Sequence, residues 1–131
     1  MIGLDTNVLV RLLTGDDAAH RSAANEFISR NCSADNSAFI NRIVLVETIW
    51  VLESVGEYSR EEIAGAVDTL LRMVRVLTED SDLVRVALSA YRRGVDFADA
   101  LIAGTNVARG CTKTVTFDQK AAKNVAHFVA L

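Results

Sequence analysis

The sequence predicts an α/β fold in which four to five short parallel strands alternate with helices. Three observations predict it. Short apolar runs alternate with longer stretches of helical periodicity along the whole chain. Two of those runs lead directly into an acid, Asp5 and Asp118, and open α/β sheets place their ligands at the carboxyl ends of strands. The 131 residues are 50% hydrophobic, with no proline, low-complexity run or internal repeat, so residues 1–131 read as a single domain with a sizeable core and no linker.

Residues 2–4 form the first buried strand and residues 7–13 the helix that follows. Asp5 then sits at the strand end, where it either caps that helix or belongs to a site. Thr14-Gly15-Asp16-Asp17 reads as a turn with a helix start. In the helix that runs from there to Arg30, Ala19, Ala23 and Phe27 recur every four residues, as do Ala24 and Ile28, which makes a helical stripe. Residues 31–36 are loop-like, and residues 37–40 form a second strand closed by Asn41-Arg42.

Residues 43–55 are the most apolar stretch, too long for a strand and apolar all round, so a buried helix is expected. Glu47 lies inside it. A carboxylate there is costly unless it is paired or bound to metal, or unless it lies on a solvated face beside a basic residue. Gly56-Glu57-Tyr58-Ser59 breaks the helix, and Ser59 with Glu62 forms a capping box for an amphipathic helix carrying Ile63, Val67, Leu70, Leu71 and Val74. The dipole of that helix accounts for Glu61 and Glu62 in its first turn.

Residues 75–78 are the third strand. Asp80 or Ser81 starts a helix with Val84, Ala87, Leu88 and Tyr91 on one face, ending at Arg92-Arg93-Gly94, either an ordinary basic helix end or an RNA-binding pair. Asp96 caps the next helix, which runs to about residues 109–110. Asp99 is flanked by Ala98, Ala100, Leu101, Ile102 and Ala103, which predicts partial burial. Residues 112–117 form the fourth strand, with Val115 and Phe117 its apolar residues, and residues 127–131 offer an edge strand.

The 14 Lys and Arg against 17 Asp and Glu leave a net charge of −3, which excludes a polybasic nucleic-acid binder. Any RNA contact then needs local cationic patches or bound metal. Cys32 and Cys111 make neither a four-cysteine zinc site nor a disulfide framework. No signal peptide and no apolar window of membrane-spanning length is visible, so a reduced, cytoplasmic location is expected. His20 and His127 read as surface residues with no Asp or Cys at ligand spacing.

Asp5, Glu47, Asp99 and Asp118 stand out against apolar surroundings. A parallel sheet brings strand ends and the starts of the following helices to one edge, so these carboxylates are expected to converge. Clustered carboxylates repel one another unless protonated or bound to a cation. An oxygen-rich set of this kind suits Mg²⁺ or Mn²⁺, which activates water and stabilises the leaving oxygen of a phosphodiester. Thr6, Asn7 and Thr116 stand beside the acids, either orienting a carboxylate or water or serving as caps.

Four segments in this order resemble the successive motifs of the PIN-domain ribonucleases: Leu4-Asp5-Thr6-Asn7-Val8-Leu9; Val44-Leu45-Val46-Glu47 with Trp50-Val51-Leu52; Phe97-Ala98-Asp99-Ala100-Leu101-Ile102-Ala103; and Thr116-Phe117-Asp118. The resemblance spans essentially the whole chain, and the short form with a tryptophan in the second motif is similar to the VapC toxins of toxin–antitoxin pairs. It implies a three-layer α/β/α sandwich and a Mg²⁺- or Mn²⁺-dependent endoribonuclease leaving 3′-hydroxyl and 5′-phosphate ends. It implies that Asp5, Asp99 and Asp118 hold the metal, with Glu47 binding it or positioning water, Asp96 as a further acid, and Thr116 as the small hydroxyl before the last acid. It also implies a homodimer and a small antitoxin that inserts into the acidic cleft. Gln119-Lys120 stand where some members carry another acid, which weakens a second metal position.

Two other readings stay open on the residues. One is a non-catalytic PIN-like interaction or RNA-binding module. The other is a phosphatase with Asp5 as nucleophile, although Asn7 stands where such enzymes want a second Asp. Arg11, Arg42, Arg92, Arg93, Lys113, Lys120 and Lys123 are the candidate phosphate contacts, each equally readable as a solvated charge.

Overall fold

In the computed structural model, which describes residues 1–14 and 17–131, the expected alternation is present. The strands are β1 (Ile2–Gly3), β2 (Ala38–Ile40), β3 (Val76–Thr78), β4 (Thr114–Thr116) and β5 (Phe128–Ala130). The helices are α1 (Thr6–Leu13), α2 (Ala18–Asn31), α3 (Arg42–Val55), α4 (Arg60–Arg72), α5 (Ser81–Arg92), α6 (Phe97–Ala108) and α7 (Gln119–Asn124). Gly15 and Asp16 of the expected turn lie outside the described residues, while Asp17 does cap α2. No described helix is long and apolar enough to cross a membrane.

The chain divides into two compact units, Met1–Ser81 and Asp82–Leu131. In the first, β1, β2 and β3 form a parallel sheet in that order, with Ile2 opposite Ala38 and Ala38 opposite Val76. Parallel neighbours need crossovers, and α1 with α2, then α3 with α4, supply them. Helix α1 packs against α2 and α3, and α4 against α3 and β3. The core holds Leu9, Ile40, Leu45, Ile49 and Val67. In the second unit β4 and β5 pair in parallel, Val115 opposite Val129, with α7 packed on both. Val84, Ala87, Leu88 and Tyr91 are all buried on α5, as their spacing predicts. The five strands are thus parallel throughout, but in sheets of three and two strands.

Three expectations are corrected. Helix α3 is not buried all round: Leu45, Thr48, Ile49 and Leu52 face inward, whereas Ile43 and Trp50 are 79% and 66% exposed. One helix face meets the neighbouring elements, and the opposite face stays in solvent whatever its composition. On α2 the Ala19, Ala23 and Phe27 stripe is exposed, and Ile28 with its neighbour Ala24 carries the packing. His20 does lie on the surface, yet an acid stands at close spacing, since its Nδ1 meets Asp17 Oδ2 at 2.7 Å.

Helix ends follow local chemistry. Ser59 and Glu62 form the reciprocal capping box expected of them. Gly56 ends α3 at φ 75°, a left-handed conformation that glycine adopts without steric cost.

Candidate metal centre

Asp5 follows β1 in extended conformation and caps α1, its Oδ1 accepting the Val8 N–H at 3.0 Å. Asp96 caps α6 through Oδ1 and the Asp99 N–H at 2.9 Å, and Asp118 caps α7 through Oδ1 and the Ala121 N–H at 3.0 Å. Capping and ligation were alternatives on the sequence. The geometry makes them compatible, because each cap occupies one carboxylate oxygen. Among the described residues, no hydrogen bond or ion pair engages Oδ2 of these three acids.

The second unit brings Asp96, Asp99 and Asp118 into one electrostatic neighbourhood. Asp99 is half-buried in the first turn of α6, as its apolar flanks predict. Its carboxyl is pushed above the usual aspartate range, first by desolvation and then by the negative charges of Asp96 and Asp118. Phe97 anchors this turn. It is 2% exposed, and its ring meets Tyr91 edge-on at 6.2 Å. Asn106 Nδ2 donates to Thr114 Oγ1 at 2.9 Å, tying α6 to β4. Thr116 Oγ1 accepts the Asp118 N–H at 3.0 Å, so this hydroxyl fixes the backbone that carries the last acid.

The first unit carries Asp5 and Glu47. Thr6 and Asn7 occupy the first turn of α1, directly after Asp5. Glu47 lies one turn after Ile43 on the solvated side of α3, so the cost of a buried carboxylate does not arise. Of the alternative reading, a solvated face with a basic neighbour, the solvated face is present, and among the described residues no ion pair engages Glu47.

Sequence reasoning missed Glu79, a further acid placed just past a strand. Its Oε1 accepts the Arg42 backbone N–H at 2.9 Å and Arg42 Nε at 3.3 Å, while Asp80 stands 3.4 Å from Nε. Arg42 holds the Glu79 carboxyl below the usual glutamate range. The same pattern of strand then acid was the available signal. Its cationic partner sets Glu79 apart from the open carboxylates, and Arg42 is a structural cation rather than a solvated candidate for phosphate.

In chemistry the acids of each unit suit a hard divalent cation: all are oxygen donors, Asp5, Asp96 and Asp118 each keep one oxygen clear of their caps, and Asp99 is pushed up first by desolvation and then by Asp96 and Asp118. Neither unit, among its described residues, gathers three acidic, histidine or cysteine side chains as a ready metal cage.

The sequence profile of the PIN domain matches residues 2–127. A VapC ribonuclease of Aquifex aeolicus (strain VF5) is 26% identical over 118 residues, covering 89% of this chain and 87% of its own. The crystal structure of Mycobacterium tuberculosis VapC20, described as a sarcin–ricin loop cleaving toxin, covers 95% of this chain and 97% of its own, with a TM-score of 0.45 and 22% identity.

Proposed function

The chain belongs to the PIN domain family, and from that premise we propose that it is a Mg²⁺- or Mn²⁺-dependent endoribonuclease, the toxin of a toxin–antitoxin pair. The observation that carries the reading is the placing of Asp96, Asp99 and Asp118 at the starts of α6 and α7, where the Asp99 carboxyl is pushed up first by desolvation and then by the charges of the other two acids.

Asp5, Asp99 and Asp118 are the cation ligands in this reading, with Asp96 as an auxiliary acid. When bound, the cation polarises a phosphodiester oxygen and lowers the pKa of water. Glu47 would bind the ion or position the attacking water. Thr116 holds the Asp118 backbone, and Thr6 and Asn7 orient Asp5. Residues 1–131 act as one PIN-like domain in this reading, which the family match over residues 2–127 supports.

The partners are RNA and a small antitoxin whose basic side chain would meet these acids as counter-charge. A homodimer and a cytoplasmic setting complete the proposal. The free cysteines, Cys32 buried and Cys111 exposed, agree with a reducing compartment.

The test is a calorimetric Mn²⁺ titration of the chain and its Asp99→Asn variant, followed by an RNA-cleavage screen. Saturable binding in the parent, lost in the variant together with cleavage, is the expected result. Two folded proteins that bind no Mn²⁺ and cut no RNA even with the ion present would turn the reading to the non-catalytic module.

A further inference from the structure

Phe117 is 81% exposed, more than any other large hydrophobic side chain among the described residues, and it stands between Thr116 and Asp118. Within β4, Thr114 and Thr116 are half-buried and Val115 is exposed, and Phe117, the first residue past the strand, is exposed in the same alternation. The backbone on its carboxyl side is held, since Thr116 Oγ1 accepts the Asp118 N–H and Asp118 Oδ1 accepts the Ala121 N–H, each at 3.0 Å. A phenyl ring is thus presented to solvent beside an acid, with consecutive Cα atoms about 3.8 Å apart.

Cations surround it in the chain. Lys113 precedes β4, and Lys120 and Lys123 lie on α7; all three are exposed, and none is engaged in an ion pair among the described residues. An exposed aromatic flanked in the chain by exposed cations matches a nucleobase and its phosphates, the combination that single-strand binders use. A protein partner is the weaker fit. A stable interface takes roughly 20–30 residues a side, whereas the exposed apolar residues here are few: Val115 opposite Val129 on two short strands, and Phe117 just past the first of them. The pairing of an exposed aromatic with a candidate acid recurs in the first unit, where Trp50, 66% exposed, follows Glu47 by three positions on α3.

We propose that Phe117 is a stacking platform for one nucleobase of the RNA, seated beside the phosphate on which Asp118 acts, and therefore a specificity-determining residue. The proposal rests on the ribonuclease reading above. Stacking depends on a π face, so tyrosine should replace phenylalanine and leucine, although apolar and bulky, should not.

The experiment uses a randomised single-stranded RNA pool with Mn²⁺, cut by the parent chain and by Phe117→Ala, Phe117→Leu and Phe117→Tyr, with cut sites sequenced and KM and kcat measured. The parent is expected to show a purine bias at one fixed position beside the cut. Phe117→Ala and Phe117→Leu should flatten that bias and raise KM about 10-fold, with kcat changed far less, and Phe117→Tyr should restore both. Unchanged KM and bias in Phe117→Ala overturns the proposal while leaving the nuclease reading intact. So does rescue by leucine, or a change of oligomeric mass in Phe117→Ala by light scattering, which would make the ring a protein contact. A parent chain that neither cuts the pool nor binds it by fluorescence anisotropy overturns both.

Discussion

The carboxylate of Glu79 caps helix α3 from across the fold: its Oε1 accepts the Arg42 backbone N–H at 2.9 Å over 37 positions of sequence and meets Nε of the same residue at 3.3 Å. Asn41 caps the same helix locally, its Oδ1 accepting the Val44 N–H at 2.8 Å. Two carboxamide or carboxylate oxygens thus hold the start of the helix that carries Glu47.

Glu79→Ala should destabilise the chain by about 1 kcal/mol through loss of this cap. Because the folded-state pKa of Glu79 is lowered, its contribution is present above the ordinary glutamate pKa of about 4.3 and is lost as pH falls through the lower folded value. Urea midpoints of parent and variant should therefore differ at pH 7 and converge toward pH 3. A gap that persists at the lower pH would assign the effect to something other than the ionised carboxylate.

Asp99→Asn should abolish cleavage and yet raise thermal stability. The folded-state pKa of Asp99 is raised, so the folded protein holds its proton more tightly and ionisation at neutral pH opposes folding. The penalty is absent below the ordinary aspartate pKa, grows as pH rises through the raised folded value, and is complete above it. Removing the charge should lift the melting temperature by about 1–2 °C in metal-free buffer at pH 7, a small gain because solvent screens the group. Calorimetry at pH 7 and pH 3.5 checks the sign: the gain should vanish at the lower pH.

Thr116→Val keeps the shape of the side chain and removes the acceptor for the Asp118 N–H. The expected cost is about 0.5–1 kcal/mol of stability. A several-fold weaker Mn²⁺ response should accompany it, with Thr116→Ser restoring both. Equal metal response in the valine and serine variants would limit Thr116 to a packing role.

Phe97→Ala should cost about 3–5 kcal/mol, since it empties a buried site against Tyr91. Phe97→Leu should cost less and retain cleavage if Asp96 and Asp99 keep their places on the first turn of α6. Denaturant melts read the first effect, and cleavage at a temperature where both variants are folded reads the second.

What was legible along the chain was local. Asp5, Asp96 and Asp118 cap the helices that follow them, Ser59 with Glu62 closes a capping box, and Val84, Ala87, Leu88 and Tyr91 share one buried face. These features come from hydrogen bonds reaching three residues ahead and from a period of 3.6, so a short window contains them. The acids of the candidate centre were legible for the same reason, as charges set in apolar surroundings just past strands or in helix turns.

Tertiary packing decided which apolar residues are buried and which carboxylates are paired. Ile43 and Trp50 belong to the most apolar stretch and lie in solvent, because the elements packed on α3 cover its other face. Val115 and Phe117 are open while Thr114 and Thr116 are half-buried, since alternation sets two faces and only packing chooses between them. Glu79 found Arg42, and Asp99 came under the charge of Asp118, through elements separate in sequence. Local backbone preferences are written residue by residue. Burial and charge coupling exist only once separate segments meet, because desolvation and Coulomb energy depend on what lies across the gap rather than on what lies next in the chain.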